Sequence, residues 1–547
     1  MSGYIGGMNM NERRRLEKRN KSKSAPSSVP PPALSAELIN ALEQAIGHHQ
    51  AGRLGEAETL YRKVLSSAPE NALANHLFGV IAHLKGDPLT AIEAIGKSLV
   101  REPDNFEAHK NMASALIGAG RLQEAEQHLL RSLDLKADYA EALNNLSFVQ
   151  SETGRFDQAI KSSLEATRIK PDYADAHNSL GNALMGTARP LEAVHSYRRA
   201  LELNPGHAQA WNNLGLIEKD VLALENAEAA FRNAIALKPD FADAHNNLGM
   251  LKLLQGNLQE GFAECQWRVG LDSMRQFQRQ LPGQAWAGQD PAGKRLLIYA
   301  EQGLGDTLHF VRYLPLLKEL GCELFFECQP PLLRLLTQMN DVACIFAHGE
   351  AIPVIDLHAP LMSLPHLLGT TTETIPAPIP YLRADPALVE IWRQRLSIYQ
   401  GLRVGIVWRG GIAHRNDKNR SASFALFKKY FTHPGMTFFS LQKELLEHEQ
   451  DLPESFIDLG LDFAETAAAI SNMDLIITVD TALAHLAGSM GIPTYVLLSK
   501  IADWRWLLER TDTPWYPGMT LLRQTQAGDW DTVLSQIAST ISSLTGK

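Results

Sequence analysis

The stretch PGHAQAWNNLGLIEKDVLALENAEAAFRNAIALKP, residues 205–239, opens and closes on proline and holds two helical patterns in between. The same interval of 34 residues separates members of the series Pro69, Pro103, Pro171, Pro205 and Pro239, with Ala137 in the one place where the frame lacks proline. Proline makes up about 5% of ordinary sequences, so this recurrence marks a repeat. Twelve positions before each mark stands an alanine: Ala57, Ala91, Ala125, Ala159, Ala193 and Ala227. A small side chain lets two helices approach closely, and proline fits where the second helix has ended and no backbone donor is required.

The first helix of each period carries an apolar anchor, Phe78, Met112, Leu146, Leu180, Leu214 or Leu248, followed by Gly79, Ala113, Ser147, Gly181, Gly215 or Gly249. Period, small positions and proline together resemble the tetratricopeptide family over roughly residues 36 to 273. That resemblance implies stacked helix pairs forming a superhelix with a concave groove. Immediately before the anchor stand Asn111, Asn145, Asn213 and Asn247, with Ser179 in the remaining place. An amide offers donors and an acceptor, so such a ladder can clamp the backbone of an extended peptide, and these four are expected to bind the acceptor. The superhelix of eukaryotic protein O-GlcNAc transferases looks similar. Asparagine that merely tolerates a helix surface is the plainer alternative.

Beyond Trp267 the frame fails. A connector with Pro282, Gly283, Gly288, Pro291 and Gly293 leads into Arg295-Leu-Leu-Ile-Tyr-Ala-Glu301, a buried strand by length and composition. Gln302-Gly-Leu-Gly-Asp306, a helical pattern through Leu320 and a strand over 322–328 complete a β-α-β unit. Further strands are expected at 403–408, 437–441, 475–479 and 494–498, giving two facing Rossmann-like lobes split near 385–400. The plan is a basic tail at 1–33, repeats at 34–273, a connector at 274–294, a first lobe at 295–390 and a second lobe with a final helix at 391–547. Gly288-Gln-Asp-Pro-Ala-Gly293-Lys294 is no phosphate-binding loop, because it precedes a strand and lacks the following Ser or Thr. Asp529-Trp-Asp531 resembles a metal-binding DxD, but its place at the start of the last helix predicts capping instead.

Asp306 stands where the first strand's carboxyl end turns into a helix, the place at which open α/β sheets present ligands. Gly303 and Gly305 let a ligand approach the backbone, and Asp306 can take the proton of an attacking hydroxyl or, equally, cap its own helix. A second junction reads Asp474-Leu-Ile-Ile-Thr-Val-Asp480-Thr481-Ala482-Leu-Ala-His485-Leu-Ala-Gly488. Its leading helical N–H groups suit a diphosphate, and His485, one turn in, either donates to a phosphate or sugar or packs in the core. Arg409, Gly410, Gly411, His414, Arg415, Asp417, Lys418, Arg420 and Ser421 follow a strand end as a cationic loop able to neutralise a leaving diphosphate. Gln442, at the end of the strand expected at 437–441, joins Gly303, Gly305, Arg409, Arg420, Asp480, Thr481, Ala482 and His485 as donor-binding.

Glu301-Gln-Gly-Leu-Gly-Asp306, Val479-Asp-Thr-Ala-Leu-Ala-His-Leu-Ala-Gly488, Asp503-Trp-Arg-Trp506 and Thr513-Pro-Trp-Tyr-Pro517 resemble bacterial tetratricopeptide proteins whose second half belongs with family 9, the heptosyltransferases. The resemblance spans nearly all of 295–545 and implies the two-lobed GT-B fold, a nucleotide-sugar donor, inversion at the anomeric carbon and no metal or other cofactor. It places the base on Asp306 and donor binding on Asp480, Thr481 and His485. The first lobe is shorter than in the lipopolysaccharide enzymes, and their phosphate-binding lysine has no counterpart, which leaves Arg409 or Arg420 to replace it. A protein acceptor, such as Ser or Thr of flagellin or another surface protein, follows from a peptide-binding groove fused in cis. A lipopolysaccharide or polysaccharide acceptor, and a non-enzymatic peptide-binding scaffold, are the alternatives.

Bulk properties narrow the partners. A net charge of −9 over 547 residues speaks against nucleic acid. Cys265, Cys322, Cys328 and Cys344 form no CxxC pair, so neither a zinc site nor a disulfide framework is expected and a reducing cytoplasm fits. No segment reaches the roughly 18 apolar residues of a membrane span. Arg13, Arg14, Arg15, Lys18, Arg19, Lys21 and Lys23 make the tail either a solvated leader or a weak attraction for the inner face of a membrane.

Overall fold

The computed structural model describes residues 35–545 except 278, 377, 412–415, 432–434, 444, 447–448, 450–455 and 459–461. The basic tail, together with His414 and Arg415, lies outside the described residues. Two compact units make up the chain, one ending at Ile217 and one running from Glu218 onward.

Among the described residues, seven helix pairs fill the repeat region. The first four are α1/α2 (Ala36–Gln50, Leu54–Ser67), α3/α4 (Ala72–Leu84, Pro88–Arg101), α5/α6 (Phe106–Gly118, Leu122–Leu135) and α7/α8 (Ala140–Glu152, Phe156–Ile169). They continue as α9/α10 (Ala174–Gly186, Pro190–Leu203), α11/α12 (Ala208–Asp220, Leu224–Leu237) and α13/α14 (Ala242–Leu254, Leu258–Glu264). All six periodic alanines are fully enclosed. The small residue after the anchor has a steric reason: a Cβ on Gly79 would lie 2.6 Å from Ile95 Cγ1, and one on Gly181 would lie 2.5 Å from the Tyr197 ring.

Each period that carries the proline also closes its turn with a side chain. Six residues after each proline an N–H donor reaches back to the proline carbonyl: Asn75 to Pro69 at 2.7 Å, His109 to Pro103 at 2.9 Å, His177 to Pro171 at 3.1 Å, Trp211 to Pro205 at 3.0 Å and His245 to Pro239 at 3.0 Å. A turn carbonyl just beyond the end of the helix thereby gains a partner. The period that has Ala137 for proline has Leu143 at the donor position, so both halves of the device are absent together.

The second unit contains two wholly parallel sheets. The first has the order β1-β5-β2-β3-β4, with β1 (Gln284–Ala285), β2 (Arg295–Tyr299), β3 (Glu323–Cys328), β4 (Cys344–Ala347) and β5 (Leu357–Pro360). In the second the order is β11-β10-β9-β6-β7-β8, with β6 (Leu402–Val407), β7 (Met436–Ser440), β8 (Phe456–Asp458), β9 (Leu475–Val479), β10 (Thr494–Leu498) and β11 (Met519–Arg523). Around the first sheet lie α15 (Leu304–Phe310), α16 (Leu314–Glu319), α17 (Pro330–Leu336) and α18 (Leu364–Leu367), and α19 (Pro386–Leu396) comes between the sheets in sequence. Belonging to the second are α20 (Asp417–Arg420), α21 (Phe424–Tyr430), α22 (Phe463–Ile470), α23 (Ala482–Ser489) and α24 (Trp530–Thr545).

Strand order locates the crevices. In the first sheet the direction of strand addition reverses between β2 and β5, and in the second between β6 and β9. Ligands of open parallel sheets bind beyond the carboxyl ends of the strands at such reversals. Beyond β2 comes the 303–306 turn; beyond β6 and β9 come Arg409 and Asp480. The last repeat pair shares the core of the sheets: Leu253, Leu254, Leu258 and Phe262 pack with Trp286, Leu296, Phe310 and Trp504. Buried Arg268 adds an ion pair to Glu301 at 2.6 Å and a bond to Ser363 Oγ at 2.8 Å.

Candidate functional site

The two reversals meet. A Cβ placed on Gly305 would lie 3.1 Å from His485 Cδ2 and 3.4 Å from Ala482 Cα, so the turn beyond β2 lies directly against the start of α23, and only glycine allows that approach without displacement. Gly303 begins α15, and its N–H donates to Asp306 Oδ2 at 3.0 Å. Helix capping by Asp306 is therefore realised. The other carboxylate oxygen, Oδ1, accepts from Arg505 Nη2 at 2.5 Å, while Arg505 Nη1 donates to Asp503 Oδ1 at 2.8 Å. Arg505 thus ties a carboxylate of the first sheet to the second sheet, with its guanidinium 4.5 Å from the centre of the Trp504 ring.

Asp480 sits at the turn after β9, its backbone carbonyl accepting from Arg420 Nη1 at 3.1 Å. Burial, reinforced by the Asp503 carboxylate, pushes the Asp480 carboxyl up to about 6 against the opposing pull of Trp506, Arg420 and Arg505. Gly410 makes room for Arg420, since a Cβ there would lie 2.5 Å from Arg420 Nη2. Thr481 stands at the N-cap of α23 but makes no side-chain cap; its hydroxyl bonds to Thr478 Oγ1 at 3.1 Å. The eight-residue α23 therefore presents its leading N–H groups without a side-chain acceptor of its own. Several buried donors nearby have no hydrogen-bond partner among the described residues: Arg505 Nε, Arg523 Nε and Nη1, and Gln524 Nε2.

His485 departs from a simple phosphate ligand. It is buried, stacks on Trp506 at 5.5 Å, and bonds through Nδ1 to the Tyr516 hydroxyl at 2.9 Å. Burial first, and then the cations of Arg505, Arg312 and Arg420, hold it well below the usual imidazole range, so it is neutral.

Other expected donor-binding residues are engaged elsewhere. Arg409 pairs with buried Glu449 at 3.1 Å, and Glu449 also accepts from Trp408 Nε1 at 2.7 Å. Both ends of the Gln442 amide, each at 3.2 Å, hold the backbone of Arg409. These two residues build the wall after β6, with the Arg409 charge held by Glu449. Asp529 accepts from Thr532 N at 3.1 Å as a helix cap, and Asp531 pairs with Lys429 at 2.8 Å.

Asparagines of the ladder make bonds between repeats. Asn111 Nδ2 bonds to His76 Nε2 at 2.8 Å, Asn145 Nδ2 to Ser114 Oγ at 3.1 Å, and Asn213 Nδ2 to Asn178 Oδ1 at 3.1 Å and Asn182 Oδ1 at 2.9 Å. A period of 34 residues brings these three amides against the preceding repeat, so their donors help to stitch repeats together. Asn247 occupies the matching position on α13, in the second unit.

Asp306, Gly305, Arg420, Asp480, Thr481, Ala482 and His485 are thus gathered beyond the strand ends, whereas Arg409 and Gln442 form supporting structure. Arg505, Trp506, Arg523, His309 and Tyr516 also belong to the neighbourhood and had no assigned role from sequence. The signal for Arg505, Trp506 and Tyr516 was the Asp503-Trp-Arg-Trp506 and Thr513-Pro-Trp-Tyr-Pro517 elements, whose tryptophans, tyrosine and arginine prove buried; His309 and Arg523 lie outside both elements and had none. Among the described residues no group of three or more His, Cys, Asp or Glu is placed to hold a metal ion. No helix of the described residues is long and apolar enough to cross a membrane.

Comparison with known proteins identifies the repeats. A tetratricopeptide repeat model matches residues 42–105, 85–140, 178–218 and 224–266, and a TPR repeat model matches 149–187. The chain carries tetratricopeptide repeats over this region. Protein FlbA of Caulobacter vibrioides is 29% identical over 321 residues, covering 53% of each chain. The chain thus spans about half the length of this curated relative. Similar solved structures include a MamA protein, 28% identical with a TM-score of 0.28 over 31% of this chain and 94% of that one. Another is a tetratricopeptide repeat protein of Parabacteroides merdae, 13% identical with a TM-score of 0.39 over 44% and 96%.

Proposed function

We propose that this chain is an inverting glycosyltransferase of GT-B type, metal-independent, which moves a sugar from a nucleotide-sugar donor to an acceptor hydroxyl. The observation that carries the reading is the contact of the 303–306 turn with the start of α23, two strand-end crevices of separate parallel sheets closed on one another at Gly305. The domain plan of repeats followed by two lobes belongs to the same proposal. Asp306 serves as base: each carboxylate oxygen offers two acceptor positions, and Gly303 N–H and Arg505 occupy one apiece. The acceptor oxygen bonds to the anomeric carbon as its proton passes to Asp306. The bond from that carbon to the diphosphate breaks, and its electron pair leaves with the phosphate oxygen. Arg420, the leading N–H groups of α23 and the donors around Arg505 and Arg523 stabilise that charge. The repeats support a protein acceptor, Ser or Thr of a surface protein, because such repeats bind proteins and tethering raises local concentration.

Asp306→Ala should lower turnover by about 10²- to 10⁴-fold while the fold survives. Undiminished transfer by the folded variant would dismiss Asp306 as base. A panel of nucleotide sugars should include one that raises the melting temperature in a concentration-dependent way. A flat response to all of them, with peptide capture intact, would favour the second reading, a non-enzymatic protein-binding scaffold, which draws on the repeats matched above.

A further inference from the structure

His309 and His485 bind one and the same hydroxyl. His309 Nδ1 and His485 Nδ1 each lie 2.9 Å from the Tyr516 hydroxyl, and all three side chains are buried. Burial, with Arg312 and Arg505 adding to it, holds His309 well below the usual imidazole range, as it does His485; burial and the neighbouring Tyr381 raise the Tyr516 phenol well above its own range, against the pull of Arg312 and Arg505. Two neutral imidazoles and one protonated phenol share a single O–H proton at this junction. The hydroxyl donates to one ring and accepts from the other, so the two histidines take opposite tautomers.

The second nitrogen of each ring decides which is which. His309 Nε2 is fully buried with no partner among the described residues, surrounded by the rings of Phe310, Trp504 and Trp515. An orphaned buried N–H is rarer and costlier than an unused lone pair. His309 therefore carries its proton on Nδ1 and donates to Tyr516. Tyr516 donates to His485 Nδ1, and His485 carries its proton on Nε2. That nitrogen makes no hydrogen bond among the described residues and adjoins the Cδ2 edge that faces Gly305 at the crevice.

We infer that His309 and Tyr516 are positioning residues that fix His485 as the Nε2–H tautomer, making it a neutral hydrogen-bond donor for a phosphate oxygen bound at the start of α23. This rests on the diphosphate reading above for the ligand, but not for the tautomer. The same wall keeps the relay rigid: Arg312 donates to the backbone carbonyls of His309 and Trp515 and stacks 4.7 Å from the Tyr516 ring centre.

The test is long-range proton–nitrogen correlation on the full chain labelled at histidine, with His309→Gln and His485→Gln assigning the two rings. The unliganded protein should show His485 as Nε2–H and His309 as Nδ1–H. Tyr516→Phe, folded by circular dichroism, should turn His485 into a tautomer mixture, which a purely packing role would not do. His485 found as Nδ1–H, or both rings found as Nδ1–H with the phenol proton directed to Tyr381, overturns the inference. Inorganic pyrophosphate should then shift the His485 Nε2–H resonance and bind about two- to threefold more weakly to Tyr516→Phe, the cost of drawing the Nε2–H tautomer out of a mixture. Tautomers as assigned with no response to pyrophosphate support the relay and overturn the diphosphate reading instead.

Discussion

Arg505→Met tests whether the two sheets are electrostatically joined through Asp306. The wild-type guanidinium lies 2.5 Å from Asp306 Oδ1 and 2.8 Å from Asp503 Oδ1, with its own side chain 7% exposed and that of Asp306 24% exposed. Removing one partner of a buried ion pair costs about 3–5 kcal/mol, chiefly because the other charge is left unpaired. Partial exposure of Asp306 lets water replace some of the lost interaction, which brings the expectation to roughly 2–3 kcal/mol. Asp306→Asn keeps an oxygen for the Gly303 cap and leaves Arg505 its Asp503 partner, so its cost is about 1 kcal/mol. Combined, the two changes should destabilise by less than their sum, because a neutral amide in place of the carboxylate leaves no unpaired charge facing the methionine. A coupling of about 1–2 kcal/mol follows. Urea unfolding followed by tryptophan fluorescence suits the measurement, since eight of the nine tryptophans, all but Trp211, stand at residue 267 or later. Those eight report the unit that contains the bridge. Additivity within about 0.5 kcal/mol would show that Asp306 and Arg505 do not pair in solution.

Two further outcomes follow from the same structure. The Asp480 carboxyl, raised to about 6 in the folded chain, contributes stability that is complete below the unfolded value of about 4 and is lost as pH rises through 6. Asp480→Asn should therefore gain on wild type by roughly 2–3 kcal/mol between pH 4 and 7, and parallel pH–stability curves for the two proteins would refute the buried carboxyl. Asn213→Ala removes the amide bonds to Asn178 and Asn182 and should destabilise the first unit by about 1–2 kcal/mol, read from loss of far-ultraviolet helical signal in denaturant. An unchanged midpoint with weakened partner binding would restore the groove-facing role to that amide.

The repeat was legible because its marks are steric and local. An alanine that must vanish between helices, or a proline that ends one, is required wherever the pair forms, so Ala57 through Ala227 read correctly without any partner in view. Strands β2, β3, β6, β7, β9 and β10 were visible as apolar runs; β1, β4, β5 and β8, of two to four residues, are too short to stand out from loop, and β11, although five residues long, was missed because Thr520 and Arg523 interrupt its apolar run. The donor six residues after each proline was present in the sequence too, as Asn75, His109, His177, Trp211 and His245. Residue types of this kind share nothing but an N–H, and residue-type similarity conceals the repeat that hydrogen-bonding capacity reveals.

Polar residues of the site were harder, for one physical reason. The turn carrying Asp306 and the turn carrying Asp480 and Thr481 were identifiable because topology alone puts strand ends at a crevice, whatever surrounds them. Arg409 looked equally available on the same grounds, yet Glu449, forty residues on, claims its charge, and Gln442 encloses its backbone. Arg505 was passed over because it lies in the short 3₁₀ turn Trp504–Trp506 and not at a strand-to-helix junction, although it is the arginine that pairs with Asp306. A cation serves a ligand or a neighbouring carboxylate by the same chemistry, and sequence cannot distinguish the two until the fold decides which acceptor is nearer. Asp306 embodies both uses at once, capping its own helix, holding Arg505, and keeping a lone pair on each oxygen.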